Sequence, residues 1–398
     1  MKILAIETSC DDTGIAILDI PEKKVGDFSA QGEPASGWNV LSNIISSQIE
    51  IHKKYGGVYP MLAKREHQNN LIPTFKKALK TAGLLKASKK QISDSKTNTL
   101  KEIFSKESDL YENLKKFLEK YEKPFDYAQG KPAIDLITVT EGPGLEPCLW
   151  VGVNFAKALS FFWNIPVVPV NHIEAHILVN FIKNKKIDFP AISLVVSGGH
   201  TQLILIKNIG KYKILGETRD DAAGECFDKA AKILGLGYPG GPIISQLASK
   251  NMKNNTLQFL PRPMINTKDY DFSFSGLKTA ILYHHKKQSA KTQKSKEYIA
   301  QICAEIQQAI IDVLIKKTIK SVKDYKVKTI ILGGGVSANE GLTKQFMLKV
   351  KKENFKIIFP EKNLSTDNAL MIAITGYFNK NKKISWQKLK VKSNLRIA

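Results

Sequence analysis

Twice in this chain a run of β-forming residues breaks at a short polar turn and resumes at once. Lys2-Ile-Leu-Ala-Ile-Glu7 enters the turn Thr8–Gly14 and continues as Ile15-Ala-Ile-Leu-Asp19; Ile192-Ser-Leu-Val-Val196 enters Ser197-Gly-Gly-His200 and continues from Thr201 to Ile206. Two strands closed by a tight turn present consecutive backbone N–H groups, a nest that holds phosphate oxygens. A repeat of that unit predicts two similar α/β halves built around a nucleotide. At 398 residues the chain has material for two domains. The division falls at 1–170 and 171–398. A charged helical insertion at about 86–132 belongs to the first half, where Lys and Glu dominate and apolar spacing is too thin for a separate core.

The net charge of +23 is carried by lysines that are densest at 278–296, 316–328 and 380–392. Such an excess predicts attraction to a polyanion such as RNA. The four cysteines, Cys10, Cys148, Cys226 and Cys303, share no metal-ligand spacing. Together with the lack of a signal peptide or a run of membrane-spanning length, they point to a reduced, cytoplasmic protein. Helices are expected over 39–54, 61–79, 147–162, 297–322 and 369–377, and strands over 134–140, 166–170, 329–332 and 355–360. His67, isolated in a mixed helix, reads as structural.

Several stretches carry chemistry. Asp11 and Asp12, among the hydroxyls of Thr8, Ser9 and Thr13, suit the positioning of a cation or water, or else form an Asx-turn. His172 and His176 lie four apart on one helical face, so both imidazoles reach a single metal ion. A zinc protease would need Glu directly after the first histidine; Glu174 is one position late, which removes that reading. The third ligand stays open. Asp367 is an N-cap candidate for the last helix and also the best available oxygen ligand. Asp228 and Lys229 end an acid-rich stretch suited to ribose hydroxyls or polar substrate groups. Gly333-Gly-Gly335, following a hydrophobic strand, suits an adenosine lying against bare backbone, and matches neither GxGxxG nor the P-loop.

Taken together, Glu7-Thr-Ser-Cys-Asp-Asp-Thr13, Gly142-Pro-Gly144, His172 with His176, Ser197-Gly-Gly-His-Thr201, Asp220-Asp-Ala-Ala-Gly-Glu225 and Gly333-Gly-Gly-Val-Ser-Ala-Asn339 resemble the tRNA N6-adenosine threonylcarbamoyltransferase family. The resemblance spans nearly the whole chain outside 86–132. It implies an α/β actin-like ATPase fold, shared with sugar kinases and Hsp70, with two lobes around a nucleotide cleft. It also implies transfer of threonylcarbamoyl from L-threonylcarbamoyladenylate to N6 of the adenosine 3′ of the anticodon in tRNAs reading ANN codons, with AMP leaving. Carried onto this sequence, it makes His172, His176 and Asp367 ligands of one divalent metal, iron first and zinc second. Val195, Val196, Ser197, Gly198, Gly199, Asp228, Gly241 and Asn339 become the adenylate-binding set, and Asp11 the catalytic carboxylate. Ser245 stands where many bacterial members have Asp; its hydroxyl can still bond a ribose, with retuned affinity. ATP or AMP would fit the same cleft. Implied partners are tRNA and, in a bacterium, a TsaB-like paralogue and a TsaE-like ATPase, with dimerisation possible and no membrane. The alternatives are a small-molecule kinase of the same fold, which has no evident use for the histidine pair, and a non-catalytic scaffold paralogue, which would be expected to lose it.

Overall fold

The computed structural model describes residues 1–21, 37–88, 91–126, 131–184, 186–251 and 258–397. Parts of the expected insertion, 89–90 and 127–130, lie outside the described residues. The chain divides into two compact units: Met1–Gln48, Val58–Lys186 and Asp367–Arg396 form the first, while Ile49–Gly57, Ile187–Thr366 and Ile397–Ala398 form the second. The units are thus not continuous in sequence, unlike a division at residue 170.

In the first unit, β1 (Lys2–Glu7), β2 (Asp12–Asp19) and β3 (Asn39–Ser47) form an antiparallel meander. A two-residue pair, β4 (Phe125–Asp126) and β5 (Lys131–Pro132), stands apart from it. β6 (Leu136–Gly142) and β7 (Val167–Asn171) then add in parallel on the other side of β1, giving the order β3-β2-β1-β6-β7. The second unit repeats this with β8 (Ala191–Val196), β9 (Thr201–Asn208), β10 (Lys211–Glu217), β11 (Thr329–Gly333) and β12 (Lys356–Ile358), in the order β10-β9-β8-β11-β12. Strand senses match as well: β8–β9 and β9–β10 are antiparallel, β8–β11 and β11–β12 parallel. The same order and senses in both units are the duplicated arrangement of the actin-like ATPase fold. Central strands β6, β8 and β11 are buried at every residue, which is why they read as unbroken hydrophobic runs.

Each sheet has its own core. Leu4, Ile6, Ile15 and Ile17 meet Leu71 and Phe75 of the helix Pro60–Thr81 and Val151, Phe155 and Leu159 of the helix Glu146–Trp163. In the second unit, Ile192 and Leu194 share a core with Phe227 and with Ile302, Ile306, Ile310, Val313 and Leu314 of the helix Lys296–Asp324. The last helix, Ala369–Phe378, returns to the first sheet: a Cβ on its Gly376 would overlap the Thr138 side chain of β6, and one on Gly14 of β2 would lie 3.0 Å from the Ala369 nitrogen.

Two expectations change, and the expected helical insertion gains a packing partner. Residues 39–47 are an edge strand, not the first part of a helix over 39–54; the helix there is only Ile49–His52. The i, i+3 spacing of apolar residues suggested a helix, but Val40, Ile44 and Ile45 are β-branched, and β3 pairs with β2 from Asp19↔Asn39 to Asp12↔Ser47. The insertion does form helices, Asp94–Ile103 and Ser108–Lys120. Lacking a core of their own, they bury Leu100, Leu110, Leu114, Phe117 and Leu118 in that of the first unit, where the Phe117 ring lies 5.1 Å from Phe75. Finally, one helix, Lys296–Asp324, is long and apolar enough to cross a membrane, but 61% of its most apolar stretch is buried inside the protein, as in a core helix.

Candidate functional site

β7 ends at Asn171, whose side-chain oxygen accepts hydrogen bonds from the Ile173 and Glu174 amides at 2.9 and 3.1 Å and so starts the helix His172–Leu178. The helix is buried along its whole length, and both histidines with it. Their ring centroids are 4.7 Å apart, and Asp367 Oδ1 lies 3.5 Å from His172 Nε2 and 3.2 Å from His176 Nε2. One ligand atom from each of His172, His176 and Asp367 lies within 4.8 Å of the others. Asp367 is free for this arrangement because the N-cap of the last helix is Asn368, which accepts from the Met371 amide at 3.1 Å.

Sequence reasoning left out Glu7. Fully buried at the end of β1, it accepts hydrogen bonds from the Ser9 amide at 2.5 Å and the Thr140 hydroxyl at 2.6 Å, and its Oε2 lies 3.1 Å from His172 Nδ1. Burial alone would raise the Glu7 pKa, but the His172 charge and hydrogen bond outweigh it and hold the carboxyl below its usual value. A carboxylate only accepts, so His172 Nδ1 carries a proton, and Nε2 is the ring nitrogen that faces Asp367. A buried carboxylate at the end of an apolar strand was the available signal.

The cluster fits a cation. Both ring nitrogens of His176 are buried without a hydrogen-bond partner; the 3.2 Å approach of Asp367 is an ion-pair distance without hydrogen-bond alignment. Burial pushes both histidines towards neutrality, yet the charges of Asp367 and Glu7 carry His172 up to about 10, while His176 stays below its ordinary value. Asp367 is opposed by burial but held far below the carboxylate range by the two histidines. A positive charge at the centre of this set would satisfy every one of these groups. Glu174 is turned elsewhere, accepting from Asn379 Nδ2 at 2.9 Å.

The acidic turn belongs to the same unit. His67 pins it, with Nδ1 2.8 Å from the Thr13 hydroxyl and Nε2 3.0 Å from the Cys10 carbonyl, the structural role expected of it. The Asp11 carbonyl accepts from the Gln48 amide at 3.1 Å. Burial, helped by the charges of Asp367, Asp11 and Glu7 and opposed by a Ser47 hydrogen bond, pushes Asp12 up to about 7.

In the second unit, Val195 and Val196 are buried in β8, and Val195 pairs with Gly333 of β11. The turn that follows is closed on itself: the Ser197 amide donates to the His200 carbonyl at 2.8 Å and the His200 amide to the Ser197 hydroxyl at 3.1 Å. Gly198 and Gly199 are exposed, and a Cβ on either would meet nothing within 4 Å. The close approaches are made by other glycines. Gly224 would place a Cβ 2.5 Å from the Ser197 carbonyl oxygen, and Gly334, at φ +84°, would drive one into the Val196 carbonyl. Asp228 accepts from the Gly240 amide at 2.7 Å and thereby starts the helix Gly240–Ala248, which carries Gly241 and, one turn on, Ser245. Asn339 caps the helix Glu340–Glu353 through the Leu342 amide at 3.0 Å and donates to Gln307 at 2.8 Å, so its side chain is locked in place. Gln307 had no signal in the sequence. Within the first unit, then, the structure gathers His172, His176 and Asp367; within the second, it packs Gly333 and Gly334 on Val195 and Val196, and Gly224 on Ser197.

The chain matches the profile of the family described as TsaD, tRNA N6-adenosine threonylcarbamoyltransferase, over residues 39–94 and 112–374. It is similar to a tRNA N6-adenosine threonylcarbamoyltransferase of Thermosipho africanus, at 43% identity over 97% of this chain and 96% of that one. Proteins of the same name from Persephonella marina (42% identity, 95% of this chain and 90% of that one) and Syntrophomonas wolfei (39%, 95% and 92%) are also similar. The chain belongs to the tRNA N6-adenosine threonylcarbamoyltransferase family.

Proposed function

We propose that this protein transfers the threonylcarbamoyl group of L-threonylcarbamoyladenylate to N6 of the adenosine 3′ of the anticodon in tRNAs reading ANN codons, releasing AMP. The observation that carries this reading is the buried His172, His176 and Asp367 cluster, backed by Glu7, in a chain of this family. The donor is a mixed anhydride and already activated. The obstacles are a weakly nucleophilic amine and competing hydrolysis, so positioning supplies most of the rate.

Each group has a part to play. Two histidines and one carboxylate leave open positions and suit iron(II), with zinc second; when bound, such an ion supplies positive charge that polarises a carbonyl. Glu7 holds the His172 tautomer that faces the ion. Asp11 orients the attacking amine or accepts its proton. The Gly198 and Gly199 amides receive the phosphate of departing AMP. Bare backbone at Gly333–Gly335 and Gly241 accommodates the adenosine, and Asp228 and Ser245 take its ribose. Asn339, held by Gln307, borders the base. The protein works in the cytoplasm on tRNA and, in a bacterium, with a TsaB-like paralogue and a TsaE-like ATPase as partners.

The test is mass analysis of nucleosides from tRNA incubated with the protein, these partners and threonylcarbamoyladenylate. Threonylcarbamoyladenosine is expected with the intact protein and not with His172→Ala/His176→Ala. Phosphorylation of a small acceptor by ATP, with no modified nucleoside, would replace this reading by a kinase of the same fold.

A further inference from the structure

One surface of the second unit lies outside every residue assigned so far. The helix Ser275–Lys286, the short helix Ala290–Gln293 and the start of the helix Lys296–Asp324 carry six lysines, Lys278, Lys286, Lys287, Lys291, Lys294 and Lys296, against one carboxylate, Glu297. Glu297 accepts from the Ser295 hydroxyl at 2.7 Å. Among the described residues none of the six lysines has an ion-pair partner, whereas Lys323 and Lys349 both pair with Glu353. All but Lys278 are exposed.

Planar rings interleave with this charge. Phe259 stacks on His284 at 4.4 Å between centroids and 24° between planes; His284 and His285 face Tyr298 at 6.3 and 5.7 Å, with planes 12° and 19° apart. The ladder walls a groove of about 550 Å³ rimmed by Gln288, Thr292 and Gln301. Beside it Tyr283 is 60% exposed. Burial, then Lys287, lowers the His284 pKa, and burial, then His284, lowers that of His285, so both rings are neutral stacking surfaces at pH 7. Lysines that track phosphates, alternating with planar faces for unstacked bases, are the chemistry of single-stranded and loop nucleic-acid sites. An acidic protein segment would match the lysines and leave the ring ladder without a use.

We propose that this surface binds RNA, with phosphates on Lys286, Lys287, Lys291 and Lys294 and an unstacked base against Tyr283 and the Phe259–His284 stack. It rests on tRNA being the substrate and assigns where tRNA outside the reacting adenosine is held. The test is equilibrium binding of unmodified tRNA to the full chain across a salt series. Replacing those four lysines by Gln lowers affinity about tenfold or more and flattens the log affinity–log salt slope by up to about 3.6, at ~0.7–0.9 per lost phosphate contact. Phe259→Ala/Tyr283→Ala lowers affinity roughly fivefold or more at unchanged slope, since stacking carries no charge. As a control, Gln at Lys344, Lys349, Lys351 and Lys352 removes the same charge elsewhere. Losses confined to the first two variants support the surface. Equal loss in the control means net charge alone attracts RNA, and overturns it. Binding unchanged in the first two variants overturns the surface and leaves the transferase reading standing; tRNA that fails to bind the wild-type protein even with its proposed partners present overturns both.

Discussion

The turn after β1 and the turn after β8 occupy the same place in two sheets of identical order, yet they have opposite characters. The first is closed in: Thr8 and Ser9 are buried, and Asp11 and Asp12 follow within reach of the charges of Glu7 and Asp367. The second is open, with Gly198 and Gly199 exposed and no carboxylate in the turn. The supports correspond closely. After β6 and after β11 a glycine bend packs at the first turn of its unit, Gly144 at φ +158° against Ser9 and Gly334 at φ +84° against Val196 at the end of β8. Topology therefore fixes where each turn stands, while the side chains in it set the charge it presents.

That contrast can be broken at its strongest point first. Asp367→Ala or His176→Ala should empty the first unit of metal, read by elemental analysis, and lower transfer about a thousandfold if the ion supplies several kcal/mol. Gly199→Ala, in the other turn, should leave metal content intact. Full metal occupancy in Asp367→Ala would show that the cation is held elsewhere. Next in size, Glu7→Gln keeps the shape of the buried side chain and removes its charge; metal affinity should fall about 10- to 100-fold in a chelator competition, as for other partners of metal-bound histidine.

Packing of the anion turn gives a smaller effect. Gly224→Ala pushes a methyl group against the Ser197 carbonyl and should cost about 1–3 kcal/mol in denaturant melts while weakening AMP binding. Gly198→Ala, with nothing within 4 Å, should stay within about 0.5 kcal/mol. Equal melts for the two would mean that the turn yields freely.

The smallest effect depends on pH. Burial opposes ionisation of Asp220, but the hydroxyls of Ser273 and Ser275 and the amides of Phe274 and Ser275 donate to it and hold its carboxyl below the usual value. A depressed carboxylate contributes stability that is present above its unfolded value of 3.8 and lost as pH falls through the lower folded value. Asp220 is exposed, so solvent screens its charge, and Asp220→Asn should cost at most about 0.5–1 kcal/mol at neutral pH and have a flatter stability profile below pH ~4 than the wild type. Parallel profiles would remove Asp220 as the anchor of the helix Ser275–Lys286.

Much of this protein was legible locally. The strand–turn–strand units, the helices at 61–79 and 147–162 and the pairing of His172 with His176 depend on apolar runs broken by polar turns and on helical spacing, which a short stretch of chain carries by itself. The family motifs extended that reading to the roles proposed for Asp11, Asp228 and Asn339. Tertiary structure alone decided what those local pieces lean on. Glu7 reaches His172 across 165 positions, Asn368 takes the cap and releases Asp367 to the histidines, and residues 39–47 become a strand because β2 needs an edge partner. The C-terminal helix joins the first sheet, where its apolar residues are buried. Each of these outcomes depends on satisfying a buried charge, a backbone edge or an apolar face with a partner remote in sequence. No local period records where such a partner lies.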